Sequence, residues 1–242
     1  MSGTTLGEAT MRKIALALFV VLVTALGGYA QNCTMETYNN YLGSGFQCTI
    51  NDQTYSSFSY SDTSNPPGFG IPAGSIMAIP ITTPGDPGLQ FTGPWGVSTS
   101  GGILAQDSEF DWTVTSTSLI TDLSLSIAGV GFSGTGAINL DETACLGAIL
   151  PSCTGGTTVT LSVFDSSAGQ QLFDEITFAG VHEISVEKDL LVSAGTNGSA
   201  EVSVITDQFS EGTSSVPEPG TLSMMGLGVV ALAGFARRKF NL

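Results

Sequence analysis

Basic residues are nearly missing from this chain. It has six Lys and Arg and one His in 242 residues, against 21 Asp and Glu. Five of the six bases, Arg12, Lys13, Arg237, Arg238 and Lys239, lie near the ends. Between residues 31 and 216 one base, Lys188, faces nineteen acids, a net charge of −18. Nucleic acid and anionic lipid surfaces are therefore excluded as partners of the body, because nothing there could neutralise phosphates. Salt bridges are scarce for the same reason, and no Arg remains to clamp a carboxylate or phosphate substrate.

Other absences narrow the chemistry. His182 is the only histidine, in Val181-His182-Glu183, and no Gly-x-Ser-x-Gly elbow is present, so a nucleophile has no evident base beside it. Phosphate-binding and dinucleotide fingerprints are missing. Gly129-Val130-Gly131-Phe132-Ser133-Gly134 is glycine-rich without that pattern and reads as a bend between strands. No cofactor is expected. No body segment keeps a 3.6-residue apolar period, which argues against long helices.

What is present is a period of two. Phe110, Trp112 and Val114 alternate with polar residues, as do Leu123, Leu125 and Ile127, then Val159, Leu161 and Val163, then Ile176 with Phe178 and Val202 with Val204. Ile50-Asn51-Asp52-Gln53 predicts a hairpin turn between strands near 46–50 and 54–60, and Gly195-Thr196-Asn197-Gly198 another between the last two strands. A strand is expected over 74–81, ended by Thr83-Pro84-Gly85-Asp86-Pro87-Gly88. Short strands bounded by turn residues at this spacing predict an all-β fold, an antiparallel β-sandwich of about 8–11 strands.

The termini carry transport signals. Arg12-Lys13, the uncharged run Ile14 to Leu26 and Gly28-Tyr29-Ala30 follow the order of a secretory signal peptide, a helix entering the Sec machinery, with cleavage after Ala30. Met11 directly precedes the basic pair and is an alternative start. At the other end Val216-Pro217-Glu218-Pro219 precedes an uncharged run from Thr221 to Ala236, then Arg237-Arg238-Lys239. Sixteen helical residues span ~24 Å, a marginal transmembrane helix that flanking cations can complete by snorkelling. The basic cluster predicts a cytoplasmic C-terminus. The expected domains are thus a signal peptide over 1–30, a sandwich over 31–210, a Gly- and Ser-containing spacer over 211–215 and a sorting segment over 216–242.

This three-part tail resembles the PEP-CTERM sorting signal of Gram-negative bacteria. The resemblance implies recognition by exosortase, removal of the tail near Val216-Pro217-Glu218-Pro219, and a mature protein at the cell surface or outside the cell. It also implies an exopolysaccharide setting. The body, with Cys33, Tyr41-Leu42, Gly45-Phe46-Gln47-Cys48 and Tyr55-Ser56-Ser57-Phe58-Ser59-Tyr60, is similar to other exported proteins of that layout, which imply no activity.

The four cysteines fall into two local pairs, Cys33 with Cys48 and Cys145 with Cys153. In an exported chain that pattern predicts two disulfides rather than zinc, for which one histidine and spacings of 15 and 8 are unsuited. Asp107-Ser108-Glu109-Phe110-Asp111 and Asp141-Glu142 are the densest acidic groups. Asp107, Glu109 and Asp111 are candidate Ca2+ ligands, although on a strand they would line one face and not wrap an ion. Trp95 and Trp112 are candidates for stacking on sugars, or else core residues. The expected role is non-enzymatic, binding or structural and associated with extracellular polysaccharide; the alternative is a carbohydrate-active enzyme using paired carboxylates.

Overall fold

A computed structural model describes residues 31–212. The signal peptide and the sorting helix expected at the two ends lie outside the described residues. Among the described residues no helix is long and apolar enough to cross a membrane.

Thirteen strands form the body. In order they are β1 (Gln31–Asn32), β2 (Glu36–Thr37), β3 (Gln47–Ile50), β4 (Gln53–Asn65), β5 (Met77–Ile81), β6 (Gly88–Thr99), β7 (Leu104–Ala128), β8 (Gly131–Gly134), β9 (Ala137–Leu146), β10 (Thr157–Ser166), β11 (Gly169–Gln171), β12 (Phe173–Gly195) and β13 (Gly198–Gln208). One helical turn, α1 (Tyr38–Tyr41), follows β2. The count exceeds the expected 8–11 because β1, β2, β8 and β11 are edge pieces of two to four residues.

The two apolar series around Trp112 and Leu125 belong to one strand. β7 runs 25 residues and β12 runs 23, and they pair antiparallel along most of their length. Their ladder loses register between Thr177 and Glu183. On one side of that break, β7 is flanked by β4 and β12 by β9, which leads on to β10 and β11. On the other side β7 is flanked by β13, which leads to β6, β5 and β2. A single path of pairs therefore builds two layers, the antiparallel sandwich that the alternation implies. One pair, β1 with β3, is parallel.

The layers meet through aromatic rings. Phe91 of β6 lies 5.3 Å, centroid to centroid, from both Phe110 and Trp112 of β7. Tyr38 of α1 plugs one end, 5.2 Å from Phe91 and 5.5 Å from Phe110. Burying large aromatic surfaces supplies much of the apolar stabilisation available to a chain with few ion pairs. In β13 the period of two slips at a bulge between Val202 and Val204, so Ile205, Asp207 and Phe209 point inward.

Two disulfides are present, Cys33–Cys48 and Cys145–Cys153. The first ties the start of the body to β3, and the second closes the loop between β9 and β10. Gln53 holds the last described residues: its buried amide donates to the Phe209 carbonyl at 2.8 Å and to Glu211 Oε1 at 3.2 Å.

Candidate functional site

Alternation along the first half of β7 sends Ser108, Phe110 and Trp112 inward and leaves Asp107, Glu109 and Asp111 on the outer face. Neighbouring strands decide what surrounds them. Glu187 and Asp189 of β12 stand opposite Asp111 and Glu109, and Asp141 of β9 stands opposite Asp189. On the other flank, β4 supplies hydroxyls. Ser61 donates to Glu109 Oε2 at 3.0 Å, and Ser59 donates to Asp111 Oδ2.

The structure thus divides the three carboxylates singled out by spacing. Glu109 and Asp111 are joined by Glu187, with ligand oxygens all within 4.8 Å of one another. Asp107 instead shares a hydrogen bond with Asp189. No sequence window links residue 111 to residue 187; only the β7–β12 register brings them together. Beside the trio lies a groove of about 350 Å3, walled by Ile149 and Pro151 of the Cys145–Cys153 loop and floored by Ser59, Thr113 and Ser185.

Crowding of like charge marks the face electrostatically. Partial burial raises the Asp111 carboxyl, against the Ser59 hydrogen bond, with Glu109 adding to the rise. Glu187 is raised by burial and then by Asp111 and Glu109. Asp189 is pushed up to about 6 by burial, by the hydrogen bond its protonated carboxyl donates to Asp107 and by the charges of Asp107, Asp141 and Glu109. Such a face offers hard oxygen ligands from one side and acceptors for sugar hydroxyls. It supplies no cation of its own.

The aromatic candidates are elsewhere. Trp95 and Trp112 are each 1% exposed, so neither presents a ring to a sugar. Trp95 Nε1 donates to Ser108 Oγ at 3.2 Å inside the sandwich. Both belong to the core because they occupy inward positions of strands that are covered on that side. His182 is exposed, and its Nδ1 lies 3.1 and 3.2 Å from the carbonyl oxygens of Ser116 and Ser118.

Glu142, grouped with Asp141 in the sequence, is the residue whose place is least expected. Asp141 is on the outer face, but Glu142 points inward and is 1% exposed. It meets Lys188, the one base of the body, which is also completely buried. Lys188 Nζ lies 3.1 Å from Asp207 Oδ2 and 5.2 Å from the centre of the Trp112 ring. Burial pulls the Lys188 ammonium down to about 8, with Asp207 acting in the opposite direction. Burial likewise pushes Asp207 up to about 6, opposed by Lys188. Glu142 Oε1 and Asp207 Oδ1 have no hydrogen-bond partner among the described residues. Inward-pointing charged residues in a strand of apolar inward neighbours are the available signal, but the phase slip in β13 hides Asp207.

No curated protein sequence matches the chain. Several solved β-rich structures are distantly similar. One is TmCBM61 in complex with beta-1,4-galactotriose, at 9% identity and a TM-score of 0.31, over 63% of this chain and 88% of that one. A second is the enzymatically active domain of tailspike protein 4 of bacteriophage CBA120, at 15% and 0.25, over 65% and 19%. A third comprises the CBM22-1 and GH10 modules of Clostridium thermocellum xylanase 10B with xylohexaose, at 8% and 0.24, over 78% and 30%. At these TM-scores none bears on what this chain binds or does. The C-terminal match is of a different kind: residues 215–239 carry a PEP-CTERM protein-sorting motif.

Proposed function

We propose that the chain is an exported protein of the cell surface or extracellular matrix. In this reading exosortase processes its tail, and its sandwich serves a non-enzymatic binding or structural role alongside exopolysaccharide. The sorting motif at residues 215–239 is the observation that carries it. Two disulfides and a body of −18 suit life outside the cytoplasm. The outer face, with carboxylates beside Ser59 and Ser61, is where the body would meet polyol or cation-bridged polysaccharide. The test is to isolate the protein from the producing cell's surface and medium. Mature protein should lack Thr221–Leu242 by intact mass and should co-fractionate with extracellular polysaccharide. A secreted form that keeps residues 221–242, or a body that leaves the polysaccharide fraction at low salt, defeats this reading.

A second reading has one observation behind it. The oxygens of Glu109, Asp111 and Glu187 lie within 4.8 Å of one another beside a groove, and two of these acids are raised. Retaining glycosidases place two carboxyls ~5–5.5 Å apart. Release of reducing ends from the native polysaccharide, lost in both Glu109→Gln and Glu187→Gln, would favour the enzyme over the binding protein.

A further inference from the structure

The interior of the sandwich holds a charged group that neither reading uses. Lys188, Glu142 and Asp207 come from three strands, β12, β9 and β13, and are at most 1% exposed. Lys188 and Glu142 are opposite each other in one layer. Asp207 reaches them from the facing layer, on a strand with no ladder to β9 or β12. Its Oδ2 lies 3.1 Å from the ammonium nitrogen.

As a resting ion pair this arrangement is poor. Buried charges lose their hydration, and an ion pair compensates only when the remaining lone pairs are also satisfied. Here Glu142 Oε1 and Asp207 Oδ1 are left without hydrogen-bond partners among the described residues. One cation also faces two acids. As reactants, however, the groups are well placed. An amine and a carboxyl held in contact, without competing water, react with effective molarities of ~10^5–10^8 M. Burial adds to this by enlarging the free-amine fraction of Lys188 and the acid fraction of Asp207.

We infer that Lys188 Nζ and Asp207 Cγ become joined by an intramolecular amide across the two layers, with Glu142 carrying the protons. Asp207 is the acceptor because its carboxyl faces the amine across the core with no other partner. Glu142 is the carrier because its ladder position fixes its carboxyl against the same nitrogen. The Lys188 ammonium gives one proton to Glu142, which passes it to an Asp207 oxygen, leaving a free amine beside a carboxylic acid. The amine lone pair forms the C–N bond to Cγ while the carbonyl pair moves onto oxygen. A second nitrogen proton travels through Glu142 to the hydroxyl. The C–O bond breaks, the carbonyl re-forms and water departs. The water carries one Asp207 oxygen and two of the three ammonium protons; the third stays on the amide nitrogen, and Glu142 is unchanged. No oxidant, metal or second substrate is consumed, and two buried charges disappear.

The sequence makes the test simple. Lys188 is the only Lys or Arg between residues 14 and 236, so trypsin has one cut site in the body, and an acylated lysine blocks it. The full chain is purified from the exporting host, reduced, denatured and treated with trypsin. Resistance at Lys188 is expected. Chymotryptic mapping should give a branched product, one water lighter than its two linear peptides, that joins Lys188 to Asp207. Asp207→Asn should give the same branch with loss of ammonia. Glu142→Gln should leave most chains unbranched and cut at Lys188. Quantitative cleavage of the wild type after Lys188 overturns the proposal, as does a branch to Glu142. A wild-type level of branching in Glu142→Gln overturns the carrier role. The wild-type digest stands whether or not a variant folds.

Discussion

Lys188 and Glu142 face each other across the β9–β12 ladder, and their contact is sealed from solvent on every side. The body's single lysine is therefore committed to the interior. Carboxylates on the outer face must be balanced by something outside the body or by a proton, with hydroxyls such as Ser59 and Ser61 donating hydrogen bonds to them. Several measurable properties depend on that division.

Removing one member of the buried trio should be costly. Lys188→Ala removes the amine that the link to Asp207 needs and strands Glu142 and Asp207 in the core without a partner, and leaving a buried charge uncompensated in this way costs ~3–5 kcal/mol. Urea unfolding followed by tryptophan fluorescence reads the effect, since Trp112 lies over the ammonium. A midpoint within error of wild type would show that the trio contributes nothing to stability.

Stability should rise on mild acidification. Asp111, Glu187, Asp189 and Glu211 are all held above their ordinary values, burial being the first cause in each. A carboxyl raised by folding takes up its proton more readily in the folded state. Its contribution is full below the unfolded value and is lost as pH climbs through the folded one. For Asp189 that window runs from 3.8 to about 6. At Asp52 burial is outweighed by hydrogen bonds from Ser118 and Glu211, so its carboxyl is lowered and its opposing effect falls below the window. The melting temperature should increase from pH 7 to pH 5, and Asp189→Asn should reduce the increase. A melting temperature that drops over this range contradicts the assignment.

Each disulfide should matter in proportion to the segment it closes. The Cys33–Cys48 bond has a sequence separation of 15 and Cys145–Cys153 one of 8. The chain-entropy model gives losses of ~3 and ~2.5 kcal/mol on replacing each pair by serine. Denaturant melts of the two double variants check the values. Equal melts with and without reductant in the wild type would rule out any contribution from either bond.

The outer face should respond to cations mainly by screening. Glu109, Asp111 and Glu187 offer ligands from one face of the β7–β12 pair, and the adjoining loop brings Ile149 and Pro151, whose side chains cannot complete a coordination shell. Ca2+ and Mg2+ at matched ionic strength should raise the melting temperature about equally. A selective response to low-millimolar Ca2+ that disappears in Asp111→Asn and Glu187→Gln would instead identify a built site, one that includes Glu187 and leaves out Asp107.

Much of this architecture is legible in one dimension. The apolar period of two around Trp112, Leu125 and Leu161 and the turns at Asn51 and Asn197 determine strand positions locally, because side-chain alternation and turn chemistry are properties of adjacent residues. Long-range pairing is not such a property. Nothing near Asp111 points to Glu187, and the fusion of two apolar series into a single 25-residue β7 depends on partners that change halfway along it. The bulge after Val202 shows the limit most sharply. One extra residue reverses which side chains face inward, and so turns Asp207 from an expected surface acid into the buried partner of Lys188. The tryptophans are ambiguous for the opposite reason: alternation marks a face as apolar without saying whether another layer covers it.

The burial of Lys188 also leaves the outer surface chemically one-sided. Among the described residues no primary amine of a side chain is open to solvent. Amine-directed labels, aldehyde fixatives and lysine-dependent cross-linking enzymes would find no side-chain handle on the folded body. Carboxyl activation, by contrast, would find Asp107, Glu109, Asp111, Asp141 and Glu187 together along one face. A label that couples through side-chain amines would thus miss the folded body, whereas one that couples through acids would meet a dense row of them on this face.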